Sequence, residues 1–96
     1  MKSISEIDNT LSSIKPILAK RFFVDKIGYF GSYARNEQSA SSDLDILVSL
    51  NRPLGWEYFE LQEFLEKELG LKVDLVTEKA LRAQFKDSIL AQVKFI

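Results

Sequence analysis

Segments with the apolar spacing of helices alternate along this chain with segments typical of strands, and this alternation is the strongest constraint on its fold. Helices are predicted over residues 4–23, 32–37, 56–69 and 78–95, the last in one or two pieces. Strands are predicted over residues 25–30, 43–50 and 71–76. Pro16 is expected to kink the first helix or to begin a second one, because proline lacks a backbone donor. The order predicts one domain, residues 1–96, in which helices are layered on a sheet.

The connection between the first two predicted strands is short. It spans only residues 31–42, with room for about one helical turn. A right-handed crossover between parallel strands usually contains a full helix, for which a dozen residues with one helical turn is short, so antiparallel pairing is expected. The predicted class is therefore α/β (α+β), with a small mixed sheet of about three strands flanked by helices.

The composition excludes several kinds of chemistry. The chain has no cysteine and no histidine. Thiolate nucleophiles, disulfides, Cys/His zinc sites and Ser-His-Asp triads are thereby excluded. A bound metal would have to sit on oxygen ligands, which indicates a hard cation such as magnesium or manganese.

Charge and hydropathy indicate where the chain acts. The formal net charge is -1, which favours neither a dedicated nucleic-acid binder nor an anionic membrane surface. No segment approaches the roughly 20 apolar residues of a membrane span, and no signal peptide is indicated. Together with the lack of cysteine, these features predict a cytoplasmic protein.

Three aspartates fall on predicted strands. Asp43 and Asp45 occupy positions i and i+2, so they should share one face, roughly 6–7 Å apart at the backbone. Two carboxylates that close repel each other unless a cation lies between them. Asp74 lies in the middle of the third strand and would join them if that strand lies beside the second. Three carboxylates, with waters and phosphate oxygens, suit the octahedral coordination of magnesium.

A candidate phosphate site precedes the aspartates. Gly31 and Ser32 end the first strand where a short helix is expected to open, with Ser32 as a good N-cap residue. Free backbone N–H groups at such a position suit phosphate. If the first two strands are antiparallel, this site and the carboxylates converge on one spot.

The combined pattern resembles a known superfamily. A Gly-Ser pair, ten residues and then Asp-x-Asp is the signature of the DNA-polymerase-β-like nucleotidyltransferases, here Gly31-Ser32 and Asp43-Leu44-Asp45. The segments GSYARNE, SDLDILV and VDLV, the last around Asp74, look like the minimal nucleotidyltransferases of prokaryotes. These are the MNT-type antitoxins paired with HEPN-domain toxins. The resemblance covers nearly the whole chain and implies the nucleotidyltransferase fold.

The resemblance also implies metal ligands. Asp43 and Asp45 would bind two magnesium ions, with manganese as an alternative. Asp74 would be the third carboxylate ligand and the general base on the acceptor side.

The implied phosphate ligands are Gly31 and Ser32, which would hold the nucleotide triphosphate. Arg35 falls on the arginine usual in this motif and would neutralise phosphate or orient the carboxylates. Asn36 departs from the pattern, since glycine is common at that position. Asparagine tolerates the left-handed conformation, so little damage is expected.

The implied activity is magnesium-dependent transfer of AMP from ATP, or of another nucleotide, to a tyrosine of a HEPN-type toxin partner in a hetero-complex. Two alternatives remain open at this stage. The chain could neutralise its partner by binding alone, or it could be a small-molecule nucleotidyltransferase that works as an oligomer. Taken singly, the residues also have structural interpretations, such as an ion pair of Arg35 with Glu37 or Asp43, and of Asp74 with Lys72 or Arg82.

Overall fold

The helices and strands alternate as expected over residues 2–96, the part of the chain that the computed structural model describes, but with four strands instead of three. The helices are α1 (Ile4–Phe22), α2 (Gly31–Ala34), α3 (Glu57–Leu69) and α4 (Ala83–Gln92), with a 3-10 turn at Glu78–Ala80. The strands are β1 (Val24–Phe30), β2 (Leu44–Leu50), β3 (Val73–Thr77) and β4 (Lys94–Phe95). None of the helices in this part of the chain is long and apolar enough to span a membrane.

The four strands form one mixed sheet in the order β3-β2-β1-β4. β1 is antiparallel to β2 and β4, whereas β2 and β3 are parallel. The predicted antiparallel pair and the mixed sheet are therefore confirmed. In this register Phe30 at the end of β1 lies opposite Asp45 of β2, and Asp45 lies opposite Asp74 of β3. The sheet thus brings the end of β1 and two of the three predicted aspartates into one row.

The prediction of a helix over residues 78–95 was wrong at its C-terminal end. α4 ends at Gln92, and β4 pairs with β1 at Gly28. The pairing depends on that glycine, because a Cβ there would lie 2.5 Å from Val93 Cγ1 and 2.7 Å from Lys94 O. Ile96 N continues the contact by donating to a β1 carbonyl oxygen at 2.9 Å. A strand of two residues is too short to show an alternating pattern in the sequence.

Pro16 does not begin a second helix, which was one of the two outcomes expected there, since α1 is one helix of 19 residues. Pro16 lies on the exposed face of α1, where water can satisfy the carbonyl oxygen that loses its donor. The helix begins with a capping box, in which Glu6 N donates to Ser3 Oγ at 3.1 Å. It ends at Phe23, which adopts a left-handed conformation with φ of 59°. Strong caps and a continuous buried face keep α1 helical across the proline.

The hydrophobic core lies between one face of the sheet and the helices α1 and α3. The helices contribute apolar side chains at three- and four-residue spacing, namely Ile7, Leu11, Ile14, Leu18, Phe22, Leu61, Leu65 and Leu69. The strands contribute Ile27, Tyr29, Leu44, Ile46, Val48, Val73 and Leu75. Because side chains alternate along a strand, Asp45 and Asp74 lie on the opposite face of the sheet. Burial of the core residues therefore fixes which way both carboxylates point.

The outer edge of β3 is closed by three side chains of α3. Val73 N donates to Glu66 Oε2 at 3.0 Å, and Gln62 Nε2 donates to Val73 O at 3.1 Å. The hydroxyl of Tyr58 donates to Leu75 O. These α3 residues are spaced four apart, so they line one stripe of the helix. The stripe blocks strand addition at an otherwise open edge and holds β3 in place on both sides of Asp74.

Candidate active site

The centre of the site is a pair of carboxylates on adjacent strands. The parallel register of β2 and β3 sets Asp45 beside Asp74, with Asp45 half-buried and Asp74 exposed. Burial, and then the negative charge of Asp74, raise the pKa of Asp45 to about 6. The charge of Asp43 adds to this rise in pKa, and the charge of Arg35 opposes it. The fold therefore forces together two acids that repel each other near neutral pH.

Asp43 is less closely integrated into the site. It lies one residue before β2 begins, so strand pairing does not fix it, and it is exposed. Its charge nevertheless contributes to the raised pKa of Asp45. Among residues 2–96 no three acidic side chains converge closely enough to hold one metal ion. Instead of the expected cluster of three carboxylates, the described residues form a close pair, Asp45 and Asp74, with Asp43 outside it.

Gly31 packs directly against Asp45 of this carboxylate pair. Its φ of +72° lies in the left-handed region, which only glycine adopts without strain. A Cβ atom added at this position would overlap Asp45 Oδ2. The expected convergence of the glycine and the aspartates is present, because the antiparallel register brings the end of β1 to Asp45.

Ser32 lies next to this glycine, but its predicted role as N-cap was wrong. α2 begins at Gly31, with Phe30 as its N-cap residue. Ser32 is therefore the second residue of the helix, half-buried, and its carbonyl oxygen accepts from Glu37 N at 2.8 Å. Glycine starts the helix one residue early because it can make the sharp turn that leaves β1.

Arg35 joins the site to the C-terminal helix. Its Nε donates to Glu37 Oε2 at 3.3 Å, and its Nη1 donates to Gln92 Oε1 of α4 at 3.2 Å. The ion pair with Glu37 was one of the structural interpretations left open by the sequence. Asn36, where glycine is common, has a φ of 58°. The asparagine thus adopts the left-handed conformation that it was expected to tolerate.

Tyr58 is a neighbour of the site that the sequence did not reveal. Its hydroxyl donates to the carbonyl oxygen of Leu75, the residue after Asp74. Burial, and then the charge of Asp74, raise the pKa of Tyr58. In the sequence Tyr58 fits the apolar face of α3, and only its spacing of four residues from Gln62 and eight from Glu66 indicates a role at the strand edge.

The donor set suits a divalent cation. The ligating groups available are carboxylate oxygens, which magnesium and manganese prefer. The raised pKa of Asp45 comes first from burial and then from the negative charge of Asp74, which the charge of Arg35 offsets only in part. A cation between Asp45 and Asp74, with Asp43 beside it, would remove that repulsion. The residues present therefore fit the divalent metals typical of nucleotidyltransferases.

Comparison with known sequences agrees with this geometry. The family described as nucleotidyltransferase domain matches residues 11–96. Protein adenylyltransferase MntA of Thermococcus cleftensis is 40% identical over 97 residues, which cover 100% of this chain and 98% of the relative. A provisionally named protein adenylyltransferase of Methanocaldococcus jannaschii is 51% identical over 84 residues, covering 84% of each chain.

Solved structures show the same fold. One provisionally described as a minimal nucleotidyltransferase has a TM-score of 0.84 at 26% identity and covers 97% of this chain and 95% of its own. A toxin–antitoxin structure with AMP-PNP has a TM-score of 0.70 at 26% identity, covering 98% of this chain and 72% of the other. A complex of a tri-AMPylated Shewanella oneidensis HEPN toxin with an MNT antitoxin gives 0.65 at 25% identity, covering 94% and 70%. The chain therefore belongs to the nucleotidyltransferase-domain family, and within it to the minimal, MntA-type protein adenylyltransferases.

Proposed function

We propose that this protein is an antitoxin that transfers AMP from ATP to a tyrosine hydroxyl of a HEPN-type toxin. The observation that carries the proposal is the packing of Gly31 against Asp45, with Asp74 on the next strand. A phosphate held at the glycine would lie beside the carboxylates. The relatives named protein adenylyltransferases, and the structural neighbours that contain AMP-PNP or a tri-AMPylated HEPN toxin, support the choice of nucleotide and acceptor.

The proposed reaction breaks one bond and forms another at the α-phosphorus of ATP. The tyrosine oxygen attacks the phosphorus, the bond to the β-phosphate oxygen breaks, and pyrophosphate leaves. Asp74 takes the proton of the tyrosine hydroxyl, because it is the exposed member of the carboxylate pair. The products are AMP-tyrosine and pyrophosphate, so atoms and charge balance.

The chain's own residues position the nucleotide. The backbone N–H groups at Gly31 and Ser32 would donate to the triphosphate, and the bare Cα of Gly31 lets it approach Asp45 closely. Arg35 donates hydrogen bonds to Glu37 and to Gln92 of α4. Its main role is therefore to orient the site, and it contributes less to phosphate binding.

A metal would complete the site. Magnesium, or manganese, held by Asp43, Asp45 and Asp74 would neutralise phosphate charge and lower the pKa of the attacking hydroxyl; we expect two ions. Without a cation Asp45 and Asp74 repel each other, which adds to the effect of burial in raising the pKa of Asp45. We place the reaction in the cytoplasm, where ATP and magnesium are plentiful.

A toxicity assay in cells tests whether neutralisation needs this chemistry. The HEPN partner from the source organism is expressed alone, with the wild-type chain, with the Asp43→Asn/Asp45→Asn double variant, or with Asp25→Asn. Asp25 is an exposed carboxylate on β1 that serves as the matched control. We expect the wild type and the control to restore growth and the double variant to fail while remaining folded. Growth restored equally by the double variant would instead favour neutralisation by contact alone.

A further inference from the structure

A groove of about 730 Å³ opens at the β3 side of the sheet, outside the carboxylate pair. It lies between the ends of β2 and β3, the loop before α3, and the segment that leads into α4. Its floor is apolar and includes Leu54, Leu75 and Val76. None of the residues assigned to the nucleotide or the metal lines it, so its purpose is not explained by the site described above.

The rim of the groove is basic. Arg52, Lys79 and Lys86 line it, and among the described lining residues only Glu78 is acidic. This local excess of positive charge contrasts with the net charge of -1 of the whole chain. An apolar floor with a basic rim is complementary to a ligand that has an apolar part and negative charges around it.

The position of the groove relates it to the proposed reaction. Across the sheet the order is Gly31 at the end of β1, then Asp45 and then Asp74, and the groove lies farther along β2 and β3, at their C-terminal ends. Val76 lines the groove and lies on the same face as Asp74, roughly 6–7 Å along β3 by strand rise. In an in-line displacement, the leaving and attacking oxygens lie on opposite sides of the phosphorus. With pyrophosphate on the Gly31 side, the acceptor approaches from the side of Asp74, whose strand continues into the groove.

Two exposed aromatic rings stand beside the groove. Trp56 is 82% exposed and Phe59 is 58% exposed, and their ring centroids lie 6.0 Å apart. They alternate along the chain with Leu54 and Tyr58, which line the groove. Exposed tryptophan next to apolar pockets is typical of surfaces that contribute most of the binding energy in protein complexes.

We propose that this groove, with the Trp56–Phe59 pair, docks the acceptor protein through a segment that carries acidic side chains around an apolar anchor. The inference rests on the proposed function, since that function requires a protein acceptor. The acidic side chains meet the basic rim, and the anchor fills the floor. Docking of this kind would place an acceptor hydroxyl next to Asp74.

A charge reversal tests the proposal by direct binding. The double variant Lys79→Glu/Lys86→Glu changes two exposed side chains at the rim. The matched control Lys20→Glu/Lys67→Glu makes the same change in net charge at two exposed lysines that do not line the groove. Binding of each full-length variant to the HEPN partner is measured without nucleotide by biolayer interferometry, at low and high salt. Binding of a fluorescent ATP analogue with magnesium is measured in parallel.

We expect the rim reversal to weaken partner binding by about tenfold or more at low salt, mainly through a slower on-rate, and the control to bind like the wild type. High salt should shrink the difference, because screening removes rim electrostatics. Nucleotide affinity should not change. Trp56→Ala, which leaves the charge unaltered, should weaken partner binding about tenfold at both salt concentrations.

Several results would overturn the inference. Partner binding unaffected by the rim reversal and by Trp56→Ala would do so, as would a wild-type chain that does not bind the partner. Loss of nucleotide affinity with partner binding intact would make the groove a nucleotide site instead. Because the partner is bound without nucleotide, a chain that binds it but transfers no label refutes the proposed chemistry while leaving the docking result interpretable.

Discussion

Replacement of Asp45 by asparagine should stabilise the metal-free protein while abolishing its proposed activity. The pKa of Asp45 is raised from 3.8 to about 6, which means that the folded state favours the protonated carboxyl. The ionised form is therefore strained in the fold, between Gly31 and Asp74. Asparagine keeps the shape of the side chain, removes its charge and can donate a hydrogen bond to Asp74. The expected outcome is a more stable and inactive variant.

The sign and magnitude of this change in stability follow from proton linkage. Between about pH 4 and pH 6 the folded protein binds more protons than the unfolded chain, so the free energy of unfolding falls as the pH rises. The difference between 3.8 and about 6 corresponds to an upper limit of roughly 3 kcal/mol above pH 6. Solvent around the half-buried group reduces this, so we expect about 1–2 kcal/mol. For a domain of this size each kcal/mol shifts Tm by about 4–8 °C.

Thermal unfolding in EDTA provides the measurement. Wild type, Asp45→Asn and the exposed control Asp25→Asn are compared at about pH 7.5 and about pH 4. We expect Asp45→Asn to unfold at a higher temperature than wild type at the higher pH, and the gap to close at the lower pH. Magnesium should raise the Tm of wild type more than that of Asp45→Asn. A destabilised variant at pH 7.5, or a gap that does not depend on pH, would refute the reasoning.

Three further changes probe the site and its support. Gly31→Ala should prevent nucleotide binding, because its Cβ would overlap Asp45 Oδ2, and equilibrium dialysis with labelled ATP measures this loss. Tyr29→Phe removes the hydroxyl that donates to Asp8 at 2.8 Å. It should lower the free energy of unfolding by about 1 kcal/mol in urea denaturation and leave transfer intact. Loss of transfer would contradict a purely structural role. Glu66→Ala frees a backbone N–H at the outer edge of β3, so we expect about 1–3 kcal/mol of destabilisation and concentration-dependent self-association by light scattering. A Glu66→Ala variant that is monomeric and as stable as the wild type would show that the edge of β3 does not need this side chain.

The fold could be predicted where an apolar pattern repeats over the length of a helix or strand. The apolar stripe of α1, the alternation in β2 and the short connection between β1 and β2 lead directly to an antiparallel pair in a sheet flanked by helices. The sequence could not indicate β4, because a strand of two residues is too short to show an alternating pattern. Its pairing also depends on the absence of a side chain at Gly28. The sequence also could not show that α1 continues through Pro16, since this depends on which face of the helix is exposed to solvent.

The site was predictable to a similar extent. The spacing of Gly31, Asp45 and Asp74, together with the sheet they imply, was sufficient to bring these residues together. Asp43 was expected on the strand and lies just before it, because strand ends are set by hydrogen bonds that the apolar pattern does not reveal. The hydrogen bond from Tyr58 to β3 could not be predicted, because it depends on how α3 packs against the edge of that strand, which is a tertiary contact.

The most direct test of the account is transfer of AMP to the purified HEPN partner. The partner is incubated with the wild-type chain, magnesium and ATP labelled on the α-phosphate, and its modified residue is located by mass spectrometry. The Asp43→Asn/Asp45→Asn variant and a reaction with ATP labelled only on the γ-phosphate are run beside it. The account predicts label and AMP-sized mass increments on a partner tyrosine, only with wild type and only from the α-label. An unmodified partner that nevertheless binds the wild-type chain tightly would contradict it.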